Sequence, residues 1–274
     1  MTQLFKILKC RKLIFALLVV FSLALGGYFI NNRYFGSMPQ AAIFFLNDIA
    51  APKPDDKILV FSPHPDDETL AAGGYIYEAV KAGATVKIVL VTDGNKHNLK
   101  DLRYTEFKKS LELLGVPESN LVFLGYPDGR LKSYEEDEVA STFKREVDEF
   151  KPDTVICPAM EDTHSDHAFT GKTVDKVLGQ LDYKPIIYRY LVHHPNFPQP
   201  KKFSADDYLL PPLAMVNFDK EWQRFLLSPE AIEQKTEAIF SYQSQLRVPF
   251  LRSLILSMVR KNELFSVGID KEQE

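Results

Sequence analysis

Cysteine is almost absent from this sequence, with only Cys10 and Cys157 in 274 residues. A disulfide framework is therefore excluded, and stability must come from an apolar core. Cys10 lies in a basic N-terminus and Cys157 in an apolar run, Thr154–Cys157, that reads as a buried strand. With a membrane expected between them they do not pair, and Cys157 is read as a small core residue. Acids are missing from residues 1–33, which hold Lys6, Lys9, Arg11, Lys12 and Arg33. Removing these five from the totals leaves 28 cations against 37 acids, a net charge of −9 for residues 34–274. A body that acidic is a poor partner for a phosphate backbone, so no nucleic-acid partner is expected. Glycine is missing where a dinucleotide-binding turn would need it, in the loop after the first predicted strand. Carboxylates stand there instead and would repel a pyrophosphate, which excludes a nicotinamide cofactor at that turn.

What is present begins with Leu13–Ile30, eighteen residues without a charge. As a helix they span about 27 Å, close to the hydrocarbon thickness of a bilayer. Four cations precede the run and one follows, so the N-terminus is expected in the cytoplasm and the body outside it. The run outlasts the usual core of a cleaved signal peptide and reads as a retained anchor. The expected organisation is a tail and transmembrane signal anchor over 1–33, a proline-punctuated linker over 34–56 and one catalytic domain over 57–274.

From Lys57 strands and helices alternate. Lys57–Ser62, Thr85–Thr92, Leu121–Leu124, Asp153–Cys157 and Pro185–Val192 read as strands, rich in β-branched residues. Glu68–Ala82, Asp101–Leu114, Glu136–Phe150, Asp166–Leu181, Pro229–Tyr242 and 250–261 read as helices. That alternation predicts an α/β fold, a Rossmann-like, mostly parallel sheet flanked by helices. The stripe Leu251, Leu254, Ile255, Met258, Val259 on the last helix reads as core packing. In such sheets ligands bind beyond the carboxyl ends of the strands, so chemistry is expected in the loops that follow them.

The loop after the first strand reads Ser62-Pro63-His64-Pro65-Asp66-Asp67-Glu68, and the loop after Cys157 ends His164-Ser165-Asp166-His167. Taken singly, an Asp here caps a helix and a His decorates a surface. Two such clusters at matching strand ends point to a cation, because imidazole with carboxylate suits zinc and a catalytic zinc keeps one position open. Spacing alone does not choose between Asp66 and Asp67 as ligand.

SPHPDDETLAAGG followed about a hundred residues later by HSDH resembles the PIG-L/LmbE family of zinc-dependent N-acetylglucosaminyl deacetylases. Thr92-Asp93-Gly94, Arg103 with Glu106, Lys235–Ala238 and Ser241–Gln245 extend the resemblance. It implies His64, Asp67 and His167 as ligands of Zn²⁺, with Fe²⁺ also compatible with the set. It implies Asp66 as the base that takes a proton from an activated water, and His164 as a protonated donor to the acyl oxygen, oriented by Asp166. Arg103 is expected to grip the substrate rather than pair with Glu106 on a surface, and His194 to line the pocket. The implied reaction removes the N-acetyl group from an N-acetylglucosamine-type sugar on a glycan, glycolipid or glycoconjugate. Two alternatives use the same residues: a zinc amidase or esterase on a non-sugar acyl group, and a glycan-binding module that keeps the metal without turnover. A single-pass membrane protein with an extracytoplasmic catalytic domain is expected. Some relatives form hexamers, so a homo-oligomer is a further expectation, within the limits a bilayer tether sets.

Overall fold

The computed structural model describes residues 2–35, 37–217 and 220–268. Met1 and residues 269–274, which belong to the expected anchor segment and catalytic domain, lie outside the described residues. The first helix, α1 (Thr2–Phe35), contains one stretch long and apolar enough to cross a membrane, Ile14–Asn31, and none of that stretch is buried.

Among the described residues, the body is built on one sheet of eight strands. They are β1 (Asn47–Asp48), β2 (Lys57–Ser62), β3 (Thr85–Thr92), β4 (Leu121–Tyr126), β5 (Thr154–Pro158), β6 (Ile186–Tyr190), β7 (Lys220–Leu226) and β8 (Asn262–Gly268). The helices are α2 (Asp67–Ala82), α3 (Lys100–Leu113), α4 (Glu136–Phe150), α5 (Ser165–Leu178), α6 (Pro229–Phe240), α7 (Gln243–Leu246) and α8 (Pro249–Ser257). The spatial order is β1-β7-β8-β6-β5-β2-β3-β4, and only β8 runs antiparallel to its neighbours. The chain leaves β2 towards β3 and β4, then returns to β2's other side with β5. The strand order therefore reverses between β2 and β5, where a crevice forms beyond the carboxyl ends.

Strand residues alternate between two apolar clusters, as the pleat requires. Ile58 and Val60 of β2 join Leu70 and Ile76 of α2 and Phe107 of α3 on one face. Leu59 and Phe61 join Phe143 of α4 and Val174 of α5 on the other. Cys157 is buried in the second cluster with its thiol free.

The expected parallel half is present, with ends shifted by a few residues. The antiparallel part, β7 and β8, was not expected, nor was β1. The stretch expected as a linker does more than lead in. Ile43 and Ile49 are buried, β1 pairs with β7, and Arg224 Nη1 donates to Ile43 O at 2.6 Å. The prolines around it suggest a tether because a two-residue strand leaves almost no pattern to read.

Candidate metal centre and active site

The crevice is lined by the loops that follow β2 and β5. In the first, Asp66 is strained, with φ 142° and ψ −29° in a region L-residues rarely occupy. Asp67 opens α2, and its Oδ2 accepts from His64 N at 2.9 Å, closing a tight turn. In the second, His164 caps α5 and its Nδ1 accepts from Asp166 N at 3.3 Å. His167 follows one turn into α5. Gly171 lets α5 lie against β5, since a Cβ there would meet Pro158 O at 2.3 Å.

These turns bring three donor atoms together. His64 Nδ1 lies 3.1 Å from Asp67 Oδ2 and 3.2 Å from His167 Nε2, and His167 Nε2 lies 2.9 Å from Asp67 Oδ2. All three side chains are buried. A tetrahedral ion at zinc-like bond lengths of about 2.0–2.1 Å sets its ligands about 3.3 Å apart, so the triangle has close to the size such an ion requires. His193 Nε2 approaches Asp67 Oδ1 at 4.0 Å and completes a group whose ligand atoms all lie within 4.8 Å of one another. This cluster can hold a metal ion.

The outer nitrogens of the two imidazoles face carboxylates. His64 Nε2 is 3.3 Å from Asp166 Oδ2 and 3.4 Å from Asp128 Oδ1. His167 Nδ1 is 3.2 Å from Asp162 Oδ2, off the line of a hydrogen bond, and makes no aligned bond elsewhere. Carboxylates in these places fix the ring orientation and tautomer of a metal-binding histidine. They also set the charge of the metal-free cluster. Burial lowers His64, but Asp166 and Asp67 outweigh it and raise the ring to about 9. Burial lowers His167 likewise, while Asp67 and Asp162 raise it to about 10. Burial works to raise Asp67, but the two imidazolium rings prevail and hold it well below the usual carboxylate range. Without a cation, protons take its place between the acids.

Asp66 stands beside this cluster, 8% exposed, with Arg103 Nη2 3.5 Å from its Oδ2. Burial pushes its carboxyl up to about 8 against the opposing pull of Arg103. Arg103 is itself buried and donates to Pro65 O at 3.0 Å and Gly94 O at 3.3 Å, so it braces the loop that carries Asp66. It makes no pair with Glu106. That carboxylate instead accepts from Ser244 N at 2.7 Å and Ser244 Oγ at 2.6 Å, anchoring α7. Glu68 is also an anchor. It accepts from Ser62 Oγ, Thr69 Oγ1 and Tyr242 Oη, each at 2.7 Å, tying the first loop to the C-terminal helices.

Two expectations need correction. Asp166 does not orient the ring of His164. Its carboxylate accepts from Gly129 N at 2.7 Å and Leu131 N at 3.3 Å and faces His64 instead. Burial, then the positive fields of His64 and His167, lowers His164, so its ring is neutral with Nδ1 as acceptor. The imidazole that reaches the cluster from the loop after β6 is His193, with its ring 4.6 Å from that of His167. His194 turns towards the neighbouring cleft of about 250 Å³, which Thr163, His193, Lys201, Phe250 and Leu254 also line. Of a His-His dipeptide at a strand end only one ring points inward, and the sequence does not say which. Asp162 and Asp128 are site residues that sequence reading missed. Their signal was faint, since single acids in loops usually serve as turn residues.

Residues 59–178 match the family described as PIG-L: GlcNAc-PI de-N-acetylase. Among curated relatives, a probable N-acetyl-alpha-D-glucosaminyl L-malate deacetylase 2 of Bacillus cereus is 29% identical over 146 residues, covering 48% of this chain and 66% of that protein. A diacetylchitobiose deacetylase of Thermococcus kodakarensis is 28% identical over 127 residues, covering 42% of this chain and 46% of that one. The matched stretches thus span less than two thirds of these relatives. The solved structure of N,N'-diacetylchitobiose deacetylase from Pyrococcus horikoshii superposes with a TM-score of 0.57 at 22% identity, covering 89% of this chain and 92% of that one. At that identity the likeness is one of fold.

Proposed function

We propose that this chain, a member of the PIG-L/LmbE deacetylase family through residues 59–178, is a metal-dependent N-deacetylase of N-acetylglucosamine-type sugars. The observation that carries the proposal is the triangle of His64 Nδ1, Asp67 Oδ2 and His167 Nε2, with edges of 2.9–3.2 Å, beside the buried Asp66. The triangle suits Zn²⁺, and Fe²⁺ fits the same donors. Bound there, such an ion supplies Lewis acidity for activating water and polarising the acyl carbonyl.

The chain's own residues supply the proton handling. Asp66 takes a proton on its carboxylate from the attacking water. Burial pushes this carboxyl up to about 8 in the metal-free chain. The positive charge of a bound ion lowers it, leaving a carboxylate able to take the proton and pass it to the leaving amine. Arg103 keeps the Asp66 loop in place through the Pro65 carbonyl, so it acts on substrate through Asp66. His164, neutral and accepting at Nδ1, has Nε2–H free to donate to the acyl oxygen as negative charge develops. Acetate and a free amino sugar are the products. We place the domain outside the cytoplasmic membrane, held by Ile14–Asn31 of α1.

The test is amine release from a panel of N-acetylglucosamine conjugates and simple acyl amides by the full chain, with and without a chelator. Chelator-sensitive release from the sugars supports the reading. Release from the simple amides alone overturns the sugar assignment.

A further inference from the structure

Asp162 belongs to neither motif, yet its carboxylate touches both the loop after β5 and the loop after β6. It is 5% exposed and sits on the turn between β5 and α5. Its Oδ2 accepts from Val192 N at 3.1 Å and His193 N at 2.9 Å, both in the segment that follows β6, and lies 3.2 Å from His167 Nδ1. Its Oδ1 accepts from His164 N at 2.8 Å. One carboxylate therefore binds the loop after β5 to the loop after β6 and faces the outer nitrogen of a metal-triangle histidine. Thr163 adds a parallel tie, its N and Oγ1 donating to His193 O at 2.8 and 2.7 Å.

We propose that Asp162 is the positioning residue of this site, holding His167, His164 and His193 in register so that the metal triangle and the wall carrying the oxyanion donor form one rigid unit. The inference rests on the metal reading above. His167 offers Nε2 to the cluster only if its remaining proton sits on Nδ1, and Asp162 is the carboxylate that faces that atom. Oδ2 meets two backbone N–H groups and the ring, whereas Oδ1 meets one N–H. An amide can keep the oxygen on the Oδ2 side but must then turn its NH₂ towards His164 N, where two donors oppose each other. Asp162→Asn thus separates the two duties, and Asp162→Ala removes both.

The experiment measures zinc affinity of the full chain by competition with a chromogenic chelator. It also records the visible spectrum of the cobalt(II)-loaded protein, and kcat and KM at saturating zinc. Asp162→Ala is expected to bind zinc 10–100-fold more weakly, the range typical for partners of metal-bound histidines. Asp162→Asn is expected to keep zinc affinity within about threefold while kcat falls about tenfold or more through misplaced His164, with KM little changed. Lys235→Met, a buried change away from the site, serves as the stability control and should move neither zinc affinity nor the cobalt spectrum. Should Asp162→Ala fail to fold, Asp162→Asn decides through kcat, because a purely structural role lowers its melting temperature and leaves kcat at its parental value. Parental kcat in Asp162→Asn, or parental zinc affinity and cobalt spectrum in a folded Asp162→Ala, overturn the proposal. Zinc binding and the cobalt spectrum are read without turnover, so a wrong substrate assignment would not mimic that result.

Discussion

His64 Nδ1 and His167 Nε2 face each other at 3.2 Å across a separation of 103 residues in the chain. Two buried imidazole nitrogens approach so closely where a proton or a cation lies between them and the neighbouring Asp67 carboxylate. The sheet order explains the meeting, since β2 and β5 are neighbours and both loops leave at their carboxyl ends.

Metal uptake should therefore expel protons. His64 is raised to about 9 and His167 to about 10 in the metal-free chain, so both rings are charged at pH 7. Their raised values stabilise the metal-free fold at low pH, and that contribution fades as pH climbs through 9 and 10. Zinc binding at pH 7 is expected to release about two protons, and affinity to rise about 100-fold per pH unit between roughly 7 and 9. Calorimetry in buffers of different ionisation heat counts them. A proton count near zero would mean that these rings are not the ligands.

Asp66→Asn should trade activity against stability. The carboxyl is raised to about 8 chiefly by burial, so the folded chain holds a proton that the unfolded chain loses near pH 4. Stability of the metal-free protein thus falls as pH rises from about 4 to 8, and an amide removes that loss. Turnover is expected to drop by about 10²–10⁴ while the metal-free melting temperature at pH 8 rises by at least about 2 °C. A lower melting temperature would show that its contact with Arg103 outweighs its burial.

A second buried pair supports the middle of α2. Lys235 Nζ donates to Glu263 Oε1 at 2.8 Å, and Glu263 also accepts from Gly74 N at 2.7 Å and Tyr75 N at 2.8 Å. Those two amides lie just past Ala72, whose φ of −138° breaks α2, so Glu263 caps the resumed helix. Lys235→Met leaves that carboxylate without its counter-charge and should cost about 3–5 kcal/mol, seen as a fall in melting temperature of about 10 °C. Adding Glu263→Gln should recover part of it. An unchanged melting temperature in the single variant contradicts this account.

α5 depends on Gly171 for its closeness to β5. A methyl group there meets the Pro158 carbonyl at 2.3 Å, and backbone cannot swing aside as a side chain would. Gly171→Ala should push α5 outward and weaken zinc binding along with stability, since His167 sits one turn before it. Retained zinc affinity would show that the helix is free to shift without moving the ligand.

The parallel half of the fold was legible because β2, β3 and β5 are short apolar runs closed by turn residues, each followed by a helix. β7 escaped notice because Lys220–Leu226 mixes charge with aromatics, and β8 because Asn262–Gly268 carries Glu263 among its apolar residues. Their pairing with each other, not their composition, makes them strands. The placing of His64, Asp66, Asp67, His164 and His167 in one crevice followed from strand ends alone. Which ring of His193-His194 turns inward, and which carboxylate backs which imidazole, depends on loop geometry that no spacing encodes. Asp166 is the instructive case. It stands between His164 and His167 in the chain, yet it serves His64.

Purified full chain should carry one zinc or iron ion per molecule by elemental analysis, and Asp67→Ala and His167→Ala, folded by circular dichroism, should carry almost none. Full metal content in those two variants, or a parental chain that takes up no divalent metal at pH 8, would contradict the metal site.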